Sequence, residues 1–156
     1  MNLPTTADIV IIGGGVMGAS AAYHLAQRGL KNIVLLEKED FFGQGATGRC
    51  AGGVRYQFST EINVKLSIES LPMIERFKEE IGQEVSYKQC GYLLVATNEK
   101  DANAFKYNVK LQNKLGVSTQ LLSGDEVRAR LPLMKFDDAI AGTFNPKDGT
   151  VDPNSV

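Results

Sequence analysis

Tryptophan is absent from this chain, histidine occurs once, and there are only two cysteines. Cys50 and Cys90 form no C-x-x-C and have no metal-ligand spacing. Neither a zinc site nor a disulfide framework is therefore expected, and no metal ligand is assigned. Cys50 reads as a buried, inert thiol. The single histidine, His24, falls on the first helix pattern and reads as a surface residue. A Ser-His-Asp arrangement would need that one residue. No apolar run approaches membrane-spanning length, so no membrane span is expected. Lys plus Arg number 17 and Asp plus Glu 18, for a net charge of -1. That balance leaves no basic stripe for nucleic acid and no acidic tail. The first strand starts within a few residues of Met1, so no signal peptide is expected, and the expected compartment is cytoplasmic. No internal repeat or low-complexity tract interrupts the chain.

What is present is glycine, 16 residues of it, concentrated early. Asp8-Ile9-Val10-Ile11-Ile12 is a continuous apolar strand, as a parallel strand covered on both faces should be. It runs into Gly13-Gly14-Gly15-Val16-Met17-Gly18, a G-x-G-x-x-G turn. A helix pattern follows, with Gly18, Ala22, Leu25 and Ala26 on one face and Gly29 as its stop. Ile33-Val34-Leu35-Leu36 then reads as a second strand ending on Glu37. Each glycine has a task in such a βαβ unit. Gly13 permits the tight turn, Gly15 lets the backbone approach a pyrophosphate, and Gly18 allows close helix packing. The diphosphate sits at the helix N-terminus, where unpaired N–H groups and the helix dipole favour negative charge. Glu37, about 20 residues on, accepts from ribose hydroxyls and would repel the extra phosphate of NADP.

FAD and NAD share this half-site. The next stretch separates them. After Lys38-Glu39-Asp40-Phe41-Phe42 comes a second glycine-rich segment, Gly43 to Arg55. An NAD domain proceeds here to another helix and strand. So bare a backbone suits close approach to a ligand surface instead.

At this point the chain resembles a known family. Asp8 to Gly15, Glu37-Lys38 and Gly45-Ala46-Thr47-Gly48-Arg49-Cys50-Ala51-Gly52-Gly53-Val54-Arg55 are similar to the N-terminal region of FAD-dependent amine oxidoreductases of the D-amino acid oxidase superfamily. Its members include glycine oxidase, sarcosine oxidase and dehydrogenase, and the beta subunits of heteromeric sarcosine oxidase and proline dehydrogenase. Thr47-Gly48-Arg49-Cys50-Ala51-Gly52-Gly53 looks nearest to the beta-subunit branch. Asn145-Pro146-Lys147-Asp148-Gly149-Thr150-Val151-Asp152-Pro153 also resembles the family, where such a segment leads back to the FAD domain. The resemblance implies FAD as cofactor. Gly13, Gly15, Val16, Met17 and Gly18 would hold the pyrophosphate, Glu37 the ribose, and Lys38 would lie by the adenine. Ala46, Thr47, Gly48 and Arg49 would reach the pyrophosphate and ribityl chain, and Gly52, Gly53 and Val54 would run along the isoalloxazine. Some members use an arginine hereabouts for the substrate carboxylate. Gly52 aligns with it, so Arg55 is the candidate for that role and no catalytic residue is assigned outright.

The expected fold is α/β: a Rossmann-type βαβ FAD-binding unit with the start of an α+β substrate domain, the fold being incomplete. Residues 1–83 would be the N-terminal part of the FAD-binding domain, 84–145 a partial substrate domain, and 146–156 a return segment, truncated. In the middle, Thr60 caps a helix with Ile62, Leu66, Ile74, Phe77 and Ile81 as candidate buried positions, and Pro72 should kink or interrupt it. Val85–Lys88, Tyr92–Ala96 and Ala139–Asn145 read as strands. Asn98 caps a further helix that Gly116 stops, and Ser123-Gly124-Asp125-Glu126 is a capping box. Asp152-Pro153 reads as the start of another helix. Family members are more than twice this length, so a truncated chain is expected. The expected function is the FAD-binding segment of an oxidoreductase acting on the C–N bond of a small amino or imino acid, such as glycine, sarcosine or proline. Self-association or a partner subunit is the expected means of covering the incomplete sheet. Two alternatives stay open: a non-catalytic truncated chain that does not hold flavin stably, and an NAD-dependent dehydrogenase domain.

Overall fold

The computed structural model describes residues 4–156. By contacts the chain divides into two compact units, one running to Ala51 and including Pro153–Val156, the other Gly52–Asp152.

In the first unit, β1 (Ile9–Ile12) leads through the glycine turn into α1 (Val16–Gln27) and then β2 (Ile33–Leu36). The two strands pair in parallel, from Ile9 opposite Ile33 to Ile12 opposite Leu36. Helix α1 ends where glycine lets it end. Arg28 is the C-cap, Gly29 takes φ +82°, and its N–H donates to the Ala26 carbonyl. Ala22 and Leu25 are half-buried and Ala26 is exposed. The sheet was expected to be incomplete, and β1 is covered on one face only: Ile9 and Ile11 are half-buried, whereas Val10 is 53% and Ile12 86% exposed. The reason is that α1 packs on one side of a two-stranded sheet. Helix α2 (Ala46–Arg49) gives the second glycine segment a single helical turn that composition did not announce. Residues 153–155 form a turn rather than the expected helix.

In the second unit, β3 (Gly53–Val54) is followed by α3 (Glu61–Glu75), α4 (Phe77–Ile81), β4 (Tyr92–Ala96), α5 (Glu99–Lys114), β5 (Gln120–Ser123), α6 (Gly124–Arg130), β6 (Ala141–Asn145) and β7 (Gly149–Thr150). An antiparallel sheet runs β4-β6-β5, and β3 pairs with β7. Helix starts follow the sequence closely. The Asn98 side chain accepts the Asp101 N–H, and Ser123 with Glu126 forms the full capping box. Thr60 stands at its N-cap without a side-chain hydrogen bond.

Helix α3 departs from expectation. It continues through Pro72 and breaks only at Arg76. Its buried residues are Val64, Ser67 and Leu71, of which Val64 and Leu71 cluster with Tyr56 and Val117. Ile62, Leu66 and Ile81 are exposed, and Ile74 and Phe77 are half-buried. The helix carries two apolar stripes, and the one that finds a partner becomes the inner face. The same packing places α3 in the second unit, which begins at Gly52. Val85–Lys88 is not a strand. Ser86 takes φ +50°, which breaks the extended run, and only Lys88 bridges to Thr150.

Candidate cofactor site

The site in the first unit starts at the turn after β1. Gly13 takes φ +106°, a conformation that side chains disfavour. Gly15, the N-cap of α1, is extended (φ -82°), so its backbone would suit any residue. What it requires is space, since a Cβ there would meet Thr47 Oγ1 at 3.0 Å. A Cβ on Gly18 would run into the Gly13 carbonyl and reach Ile11 Cγ2 at 3.4 Å. The three glycines thus serve a left-handed turn, a close approach and tight packing, in that order.

Helix α1 has no capping side chain and no acidic residue in its first turn. Beyond Val16, the amides of its first turn are therefore left for an anion. The Val16 N–H donates to Thr47 Oγ1 at 3.0 Å, which brings α2 against this terminus. At the end of β2, Glu37 is held by backbone amides. Its Oε2 accepts the Gly14 N–H at 2.7 Å, and its Oε1 accepts those of Lys38 and Glu39 at 2.8 and 3.0 Å. These amides, Glu39 and Gly14 foremost, hold the carboxyl below its ordinary value. It stays ionised and oriented at the mouth of the turn.

A groove of about 730 Å³ contains Gly13, Gly15, Val16, Met17, Gly18, Glu37, Lys38, Ala46 and Thr47. Ile12 and Leu36 add apolar surface to it. A second hollow, of about 510 Å³, shares Gly15, Val16 and Thr47 and adds Gly48, Arg49, Gln44, Phe42 and Asn154. The last three escaped the sequence reading, although the aromatic pair before Gly43 was a visible signal for Phe42. Gly52, Gly53, Val54 and Arg55 lie in the second unit. Gly53 and Val54 pair with Thr150 and Gly149, and the Arg55 guanidinium lies 5.0 Å from the Phe58 ring centroid.

Other chemistry finds little support. The His24 Nδ1 lies 3.3 Å from Gln27 Oε1, and its ring meets Tyr23 edge-on. Cys50, expected to be buried, is exposed, as is Cys90; Cys50 sits in extended backbone just past the end of α2. Among the described residues no group of three or more His, Cys, Asp or Glu is placed to hold a metal ion. No helix among them is long and apolar enough to cross a membrane.

An uncapped helix N-terminus, a bare turn and an oriented carboxylate fit the ADP half of a dinucleotide, so this is a dinucleotide-binding βαβ unit. The chain belongs to the DAO family of FAD dependent oxidoreductases, whose profile matches residues 8–156. Its α/β architecture with a Rossmann-like FAD-binding unit is that family's, and the family's cofactor is FAD. The mitochondrial dimethylglycine dehydrogenase of Rattus norvegicus is 38% identical over 151 residues, 96% of this chain and 17% of that protein. The mitochondrial sarcosine dehydrogenase of Mus musculus is 35% identical over 152 residues, 97% of this chain and 16% of that protein. The crystal structure of L-proline dehydrogenase from P. horikoshii matches with a TM-score of 0.84 and 39% identity, over 98% of this chain and 40% of that one. The chain thus spans about a sixth of the length of these curated relatives.

Proposed function

We propose that this chain holds the ADP half of FAD in an enzyme that oxidises the C–N bond of a small amino or imino acid, such as glycine, sarcosine or proline. The observation that carries the reading is Glu37, fixed by amides from its own turn and from Gly14 beside an uncapped helix N-terminus. Glu37 accepts from the ribose, and the amides of the first turn of α1 meet the pyrophosphate. Lys38 borders the adenine. Ala46, Thr47, Gly48 and Arg49 line the path beyond the pyrophosphate, and Gly52, Gly53 and Val54 are assigned to the flavin ring. The flavin, when bound, takes a hydride from the substrate carbon. Arg55 is the candidate for the substrate carboxylate. The division into a FAD-binding part (1–83), a substrate part (84–145) and a return segment (146–156) belongs to this proposal and is separate from the division by compactness. So does the cytoplasmic compartment; the mitochondrial designation belongs to the two dehydrogenases.

Titration of the chain with FAD, followed by flavin fluorescence, tests the reading. Quenching that ADP reverses and NADP does not is the expected result. No quenching, or equal reversal by NADP, overturns it.

A further inference from the structure

In the G-x-G-x-x-G pattern position 14 is free, because its tasks fall on the first, third and last glycines. Here it is nonetheless glycine. Its backbone does not explain this, since among the turn's glycines only Gly13 takes a positive φ. Its surroundings do. Gly14 is buried, and a Cβ on it would run into the Phe42 ring, at Cδ1 and, 2.8 Å away, at Cε1. The next nearest atom is Glu37 Cβ at 3.2 Å. The Phe42 ring therefore occupies the side-chain space of residue 14.

The backbone follows the ring. The Gly43 N–H donates to the Gly14 carbonyl at 3.0 Å, and the Gly48 N–H donates to the Gly43 carbonyl at 2.7 Å. Four residues on from Gly43, Thr47 meets Val16. The second glycine segment is thus joined to the first at two points, Phe42-Gly43 on Gly14 and Thr47 on Val16. Gly15 lies bare between them. Phe42 itself stays 70% exposed, so its value lies in this one contact rather than in a core.

We propose that Phe42 is a positioning residue for the cofactor: seated on Gly14, it holds α2 and Thr47 against the N-terminus of α1, so that the pyrophosphate cradle exists before the ligand arrives. This rests on the FAD reading above. A preformed cradle avoids the cost of ordering the segment on binding.

A double-mutant cycle tests it, read as FAD affinity by fluorescence quenching on variants whose circular dichroism matches the parent. G14A weakens binding about tenfold because the added methyl group displaces the ring, and F42A does so by about the same factor. In the F42A background, G14A costs less than about twofold, because the ring is gone and only Glu37 Cβ at 3.2 Å remains close. F42Y keeps the ring and binds like the parent. Losses that multiply to about a hundredfold in the double variant, or an F42A chain that binds like the parent, overturn the proposal. The seat also has a ligand-free signature: the Gly14 α-protons shift upfield under the ring in the parent and F42Y, and not in F42L. Failure of the parent to bind FAD defeats the cofactor reading. Absence of that shift defeats the seat.

Discussion

Gly15 and Glu37 fail differently when changed, because one provides space and the other provides charge. G15V puts a branched side chain where the pyrophosphate must approach and where Thr47 Oγ1 already lies 3.0 Å from a Cβ. FAD binding should be lost. E37Q keeps the shape but sets an amide N–H₂ against a backbone donor of Gly14, Lys38 or Glu39, so binding should weaken by about one order of magnitude. Equilibrium titration of both variants checks this, and equal losses contradict the separate roles. The pH dependence has a definite sign. The carboxyl of Glu37 lies below its ordinary 4.5 in the fold. Its contribution is complete above that value and is lost as pH falls below it through the native pKa. FAD affinity should persist through pH 4.5 and decline only as pH falls through the lowered native pKa of this carboxyl, with a flatter profile in E37Q.

Among the elements, the two-residue pair β3–β7 depends on Asp148. This carboxylate is wholly buried. Its Oδ1 accepts the Tyr56 N–H at 2.7 Å and its Oδ2 accepts Gln57 Nε2 at 2.8 Å. Gln57 also donates to the Tyr92 carbonyl and accepts from the Thr143 hydroxyl. Asp148 thereby ties the segment after β3 to the sheet. D148N leaves two donors facing each other, or turns Gln57 and orphans the Tyr92 carbonyl. It should cost about 1–3 kcal/mol in urea denaturation. Burial raises the Asp148 pKa, the reverse of Glu37. The fold therefore favours its protonated form, and stability should fall as pH rises from 3.8 through the native value. In D148N that part of the pH dependence should vanish, and a slope unchanged from the parent would contradict the assignment.

On the scale of the whole molecule, the β1–β2 sheet leaves apolar side chains in water. Val10, Ile12 and Leu36 are 53%, 86% and 36% exposed, while Ile9, Ile11 and Val34 are half-buried. A parallel pair with one open face and unpaired edges is a surface that another chain can cover. Light scattering of the chain should give a mass above the monomer that rises with concentration. The double variant V10T/I12T should lower it. A clean monomer at every concentration would contradict this expectation.

What the sequence determined by itself is whatever is written in contiguous residues. The βαβ unit, the stop at Gly29 and the caps at Asn98 and Ser123 are local. The stop and the caps depend on a backbone angle or a hydrogen bond reaching a few residues, and the βαβ unit, whose strands pair from Ile9 opposite Ile33, is one contiguous stretch, so spacing and residue type suffice. The candidate cofactor groove around Gly13 to Gly18 and Glu37 was legible for the same reason, because these residues lie on one strand–helix–strand unit. Tertiary structure decided what depends on distant partners. Which stripe of α3 turns inward was settled by Tyr56 and Val117, since hydrophobicity has no direction of its own. The strands β3 and β7 are too short to show a period and exist through pairing across the chain. Gln57 meets Asp148 across 91 positions, and the reason for glycine at position 14 is a phenyl ring that follows β2.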